Sequence, residues 1–155
     1  MISGVSAITM LSTPLSAAPA NNALPTGAAI KSGNVNISTA ASNTLNINQS
    51  SSKSIINWNT YNIGKDSTVN YNFSQSGSSS LNRVLDNNPS QIFGKLNANG
   101  NVILINPNGV LFGNGSSVNV GSIVASTMNI KDEDYLNNKL TFTRDNSTGK
   151  ILNEG

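Results

Sequence analysis

The sequence predicts an all-β domain of short, closely wound strands, and three observations lead there. Asn97-Ala98-Asn99-Gly100, Asn106-Pro107-Asn108-Gly109 and Gly113-Asn114-Gly115 crowd three turn signals together, and turns within about twenty residues leave room only for strands of about three to six residues. Between the turns apolar and polar residues alternate, as at Val102/Leu104 and Val118/Val120, with the period of two expected of a half-buried strand. No segment carries a helix signal.

In chain order, Met1 to Ala20 is apolar, small and uncharged, and Ala18-Pro19-Ala20 supplies small residues where a signal peptidase reads. Residues 1–20 are therefore expected to be the remnant of a secretory leader without its basic start, and 21–155 a single domain cut short at its end. Val35/Ile37 and Leu45/Ile47 alternate with Asn on either side of a TAASN turn, which predicts a hairpin that covers the first rung of whatever stacks above it. Trp58, the single tryptophan, reads as core, as do Val69, Tyr71 and Phe73 on one face of a strand. Ser74 to Ser80 reads as a flexible loop. In SLNRVL the apolar residues fall on both faces and give no clean assignment. After Ile130 the chain becomes more charged; Asp132-Glu133-Asp134 is expected to be a solvated loop, with weaker strands around Leu140/Phe142 and Ile151.

Composition bounds the function. A chain of 155 residues holds one core. Only 10 % of residues are charged and Asn plus Ser make about a third, a mix that could signal disorder, but a disordered tract has no reason to keep a period of two. The nine basic residues are scattered from Lys31 to Lys150 without a stripe, which argues against nucleic acid as a partner. Without histidine there is no Ser-His triad or imidazole metal site, and without cysteine no disulfide or thiolate site. Of the seven acids only those at 132–134 cluster, outside the strands, so neither paired-carboxylate catalysis nor a cofactor is expected.

A sandwich, a barrel and a parallel β-helix all fit these strands. Apolar segments recur at intervals of about twenty residues, which favours a stacked coil with Asn hydrogen-bonding from rung to rung. The stretch QIFGKLNANGNVILINPNGVLFGNGSSVNVGSIVAST, with LPTG at Leu24–Gly27, WNTYNIG at Trp58–Gly64, TVNYNF at Thr68–Phe73 and NRV at Asn82–Val84, resembles the amino-terminal two-partner secretion domain of filamentous-haemagglutinin-type exoproteins. That resemblance implies a right-handed single-stranded parallel β-helix with an N-terminal hairpin cap. It also implies a secretion signal for a large exoprotein (adhesin, haemagglutinin or contact-dependent toxin) that leaves a Gram-negative cell through a TpsB-type outer-membrane transporter, whose POTRA domains read it. The family motif falls on Asn106, Pro107, Asn108 and Gly109, as recognition residues or only as a turn that braces adjacent coils. The family's second half-motif has a partial echo at Asn88-Pro89-Ser90. An alternative role, adhesion to host glycans or cell surfaces, would use exposed aromatics, with Tyr61 and Tyr135 as candidates.

Overall fold

The structure is a computed structural model in which residues 17–145 and 147–155 are described. Residues 1–16 of the expected leader lie outside them. Strand β1 (Ala29–Ser32) and strand β2 (Val35–Ala41) come first, and β2 turns back through Ser42-Asn43 into β3 (Thr44–Gln49). The two form the expected antiparallel hairpin, with Ile37 opposite Ile47. Within this hairpin β2 is the capping strand, and β3 is already the first rung of the coil.

From β3 the chain winds. The first coil continues with β4 (Lys53–Trp58); the second is β5 (Thr68–Phe73), β6 (Ser79–Val84) and β7 (Ser90–Ile92); the third is β8 (Lys95–Ala98), β9 (Asn101–Ile105) and β10 (Val110–Phe112); the fourth opens with β11 (Ser117–Asn119) and β12 (Ser122–Ser126). Strands β3, β5, β8 and β11 stack in parallel, as do β4, β6, β9 and β12, and β7 lies beside β10. Each long sheet starts with an antiparallel strand, β2 on β3 and β1 on β4, so the first rung of both has its backbone groups paired. This is the capped parallel β-helix of the expectation.

Register turns sequence into ladders. Leu96 lies over Val69 and Val69 over Leu45, all buried, because parallel pairing stacks side chains of like direction. Asn46, Asn70 and Asn97 stack on the opposite face, with Asn70 Nδ2 donating to Asn46 Oδ1 and Asn97 Nδ2 to Asn70 Oδ1, both at 3.0 Å. Trp58, Tyr71 and Phe73 sit in the interior as expected. Val118 continues the Leu96 ladder, yet is 37 % exposed because no strand covers β11 among the described residues.

After β12 the chain leaves the coil for β13 (Asn129–Ile130), α1 (Asp132–Leu136) and β14 (Phe142–Thr143), then returns as β15 (Ile151–Asn153), parallel to β10. Helix α1 corrects the expectation of a solvated acidic loop in a helix-free chain. Its three acids occupy the first turn, where the backbone N–H groups and helix dipole favour negative charge, and Tyr135 anchors it. The excursion covers a second apolar cluster: Ile55, Leu81, Ile103 and Ile105 on the outer face of the β4–β6–β9 sheet meet Ile130, Tyr135 and Phe142. A sheet buried on both faces has no reason to alternate, which is why SLNRVL resisted assignment. The serine loop is also shorter than expected, since Ser79 and Ser80 open β6 and Ser80 is buried.

Candidate functional site

Asn106-Pro107-Asn108-Gly109 forms the corner between β9 and β10. Gly109 N–H donates to Asn106 O at 3.0 Å, closing a tight turn, and Gly109 adopts φ +117°, where a side chain is disfavoured. Asn106 Oδ1 accepts from Asn108 N–H at 2.9 Å, so the asparagine side chain stands in for a backbone turn.

The corner is stacked between two others. Asn106 Nδ2 donates to Asn88 O at 2.9 Å and to Ser90 Oγ at 3.0 Å, and Asn108 Nδ2 donates to Asp86 O at 2.8 Å. Asn88-Pro89-Ser90 is thus the corner directly beneath, one coil earlier, with Ser90 paired to Val110. From above, Gly149 N–H donates to Pro107 O at 3.1 Å and Val110 N–H to Lys150 O at 3.0 Å. Asn106 and Gly109 are buried, Asn108 is half-buried, and Pro107 alone of the four is exposed. Amides and carbonyls supply these contacts, with a single hydroxyl and no nucleophile beside a base; chemically the corner fastens one coil to the next.

The glycan-facing role given to Tyr61 and Tyr135 is corrected by their burial, at 1 % and 2 % exposed. Tyr61 packs edge-on against Trp58 at 5.6 Å and shares a 2.8 Å hydrogen bond with the Tyr71 hydroxyl. Tyr135 faces inward from α1 to meet Ser79 Oγ at 2.6 Å. Burial holds all three phenols, Tyr61, Tyr71 and Tyr135, above their ordinary range. Both candidate rings are committed to packing.

Sequence reasoning missed two residues in the NRV stretch. Asn82, fully buried inside the coil, accepts from Trp58 Nε1 at 2.9 Å and from Tyr71 OH at 3.0 Å, while its Nδ2 donates to Ser80 and to Ile103 O. Arg83, on the opposite face, donates from Nε to Asn129 Oδ1 at 2.9 Å, reaches Ile130 O, and pairs with Asp132. The one local signal was a polar residue amid apolar ones on both faces of one strand.

Residues 20–155 match the model of the TPS secretion domain. The chain belongs to this family. Among curated relatives of this TPS secretion domain, a heme/hemopexin-binding protein of Haemophilus influenzae (strain ATCC 51907 / DSM 11121 / KW20 / Rd) is 37 % identical over 134 residues, covering 85 % of the chain and 15 % of that protein. Another heme/hemopexin-binding protein from Haemophilus influenzae is 36 % identical over 123 residues, 79 % of the chain and 13 % of its own length. The TPS secretion domain therefore spans a small fraction of the relatives it matches. The crystal structure of the HMW1 secretion domain from Haemophilus influenzae superposes with a TM-score of 0.80 at 32 % identity, covering 84 % of this chain and 35 % of that one. As a TPS secretion domain, the chain serves the two-partner export of a TpsA-type exoprotein and implies a TpsB transporter.

Proposed function

We propose that the POTRA domains of the TpsB transporter read this domain while it is unfolded in the periplasm, and that its β-helix then nucleates folding of the exoprotein outside the cell. The observation that carries this reading is the burial of the Asn106–Gly109 corner between two neighbouring corners, which leaves only Pro107 exposed. A partner that reads Asn106 and Asn108 must meet them before the coils close. An extended chain with alternating side chains suits recognition by strand addition, in which backbone hydrogen bonds give affinity and alternate side chains give choice. Residues 1–20 are the remnant of a secretory leader, and residues 21–155 act as the export module.

The experiment locks the fold before export. Cysteines at Asn48 and Asn72, whose side chains meet at 2.9 Å on adjacent parallel strands, lie within the reach of a disulfide. The oxidised form is expected to remain in the periplasm of cells carrying the transporter, and the reduced form to be secreted. Equal export of both would remove the unfolded-state reading.

A further inference from the structure

The dipeptide Asn-Gly occurs three times, at Asn99-Gly100, Asn108-Gly109 and Asn114-Gly115. We propose that Asn114 is a site of spontaneous deamidation in the folded domain and that the fold shields Asn99 and Asn108 from the same reaction. In this chemistry the main-chain nitrogen of the glycine attacks Cγ of the asparagine, forming a new C–N bond and expelling the side-chain nitrogen as ammonia. Water then opens the resulting five-membered imide to aspartate or isoaspartate. Glycine favours the attack because no Cβ obstructs it. Two conditions apply: the glycine N–H must be free, and the asparagine amide must be free to swing onto it.

At Asn108 both conditions fail. Gly109 N–H is held by Asn106 O at 3.0 Å, and the Asn108 amide is tied to Asp86 O at 2.8 Å and Asn106 Oδ1 at 3.2 Å. At Asn99 the amide is fixed at two points to the backbone of Phe73, accepting from its N–H at 2.7 Å and donating to its carbonyl at 2.8 Å. Swinging it toward Gly100 breaks both bonds. Asn114 and Gly115 instead form the tip of an exposed turn closed by Ser116 N–H to Gly113 O at 3.1 Å. Gly115 has φ +88° with open space around its Cβ position, and among the described residues neither its N–H nor the Asn114 amide has a hydrogen-bond partner.

The asymmetry has a consequence for the corner. Deamidation of Asn108 replaces a donor by a carboxylate pressed against Asp86 O and Asn106 Oδ1, two acceptors, and isoaspartate adds an extra main-chain carbon inside a fully paired turn. An unfolded chain thus loses the corner to chemistry, whereas a folded one preserves it. At Asn114 the added charge faces solvent.

The test incubates the purified domain in mildly alkaline buffer, folded or in urea, and maps the peptides by mass spectrometry that resolves aspartate from isoaspartate. In the folded domain Asn99 and Asn108 are expected to react at least about tenfold more slowly than Asn114, since each must first open locally and each tenfold corresponds to about 1.4 kcal/mol of opening. In urea the three rates converge. Asn114→Gln abolishes the acidic species formed by the folded domain and leaves its melting unchanged. Reaction of Asn99 or Asn108 at the rate of Asn114 in the folded domain, or an intact Asn114 over the time in which all three react in urea, overturns the proposal.

Discussion

The side-chain amide of Asn106 donates to the main-chain carbonyl of Asn88 across 2.9 Å, so one buried residue ties the third coil's corner to the second's. Removing it leaves the Asn88 carbonyl, the Ser90 hydroxyl and the Asn108 N–H without their partner. Asn106→Ala is expected to destabilise by about 3 kcal/mol, the summed cost of leaving the buried Ser90 hydroxyl and two partly covered main-chain groups unpaired, and half-buried Asn108→Ala by about 1 kcal/mol. Exposed Pro107→Ala changes stability by less than about 0.5 kcal/mol. Urea unfolding measures the series, and secretion of the same variants separates the two roles of the corner. Secretion that tracks stability assigns it a bracing role; loss of secretion by Pro107→Ala at full stability assigns recognition.

The glycines of the corner make a second series. A Cβ on Gly149 would lie 2.2 Å from the carbonyl carbon of Asn108, and one on Gly109, at φ +117°, 2.8 Å from Lys150 O. Neither obstacle is a flexible side chain, so the two corners must move apart. Gly115 has φ +88° but open space, so its alanine variant bears backbone strain alone, about 1 kcal/mol. The melting temperatures are expected to fall in the order Gly149→Ala and Gly109→Ala well below Gly115→Ala. Equal losses at all three would mean that the stacking of corners contributes nothing.

Much of this fold was legible wherever one strand face is buried and the other wet. The β2–β3 hairpin and the Val69, Tyr71, Phe73 row announced themselves by period two, and the corner by Pro and Gly. What could not be read was decided by residues far away in sequence. Ile55, Leu81 and Ile103 face outward, yet are buried because Tyr135 and Ile130 return to cover them. Helix α1 has five residues, too few to display a helical period. The partners of Asn106 were hidden too, since Asn88 and Ser90 sit a coil away and only the winding of the chain stacks them beneath it. Tyr135 was misjudged because the outer cluster and Ser79 that cover it lie far away in sequence, and Tyr61 because the interior of the coil holds an amide that satisfies its hydroxyl through Tyr71.

That amide belongs to Asn82, and it gives a third prediction. Asn82→Leu removes the acceptor of both Trp58 Nε1 and Tyr71 OH inside the buried core. A loss of about 3 kcal/mol is expected from two orphaned donors. Combining Asn82→Ala with Tyr71→Phe should recover at least about 1 kcal/mol relative to the sum of the single variants, as in other contacting pairs. Additive losses in that cycle would show that Asn82 acts through volume alone.

The buried phenols set the alkaline limit. Tyr61 and Tyr71 are raised by burial above the ordinary value of 10.0, so above pH 10 the unfolded chain releases protons that the folded one retains. Stability from these groups is fully present below pH 10 and falls as pH rises beyond it, with a slope approaching about 1.4 kcal/mol per pH unit for each phenol. Urea midpoints measured from pH 8 to pH 11.5 should stay flat at first and then drop. Tyr61→Phe should make the drop shallower. A midpoint that declines steadily from pH 8 would place the alkaline sensitivity elsewhere.

The excursion after β12 is held by Tyr135 and Arg83, and the two should weigh differently. Tyr135 buries its ring over the outer cluster and bonds Ser79; Tyr135→Ala opens a cavity there and is expected to cost about 3 kcal/mol. Arg83 is largely covered, with a side chain 14 % exposed, whereas its partner Asp132 is 53 % exposed. The ion pair itself is therefore screened, and Asp132→Asn should cost less than about 1 kcal/mol. Arg83→Ala, which also strips the hydrogen bonds to Asn129 Oδ1 and Ile130 O, should cost about 2 kcal/mol. Salt dependence checks the division: raising ionic strength should narrow the gap between wild type and Asp132→Asn, while leaving the Arg83→Ala deficit largely in place. A deficit in Arg83→Ala that vanishes in high salt would mean that charge rather than hydrogen bonding fastens the excursion to the coil.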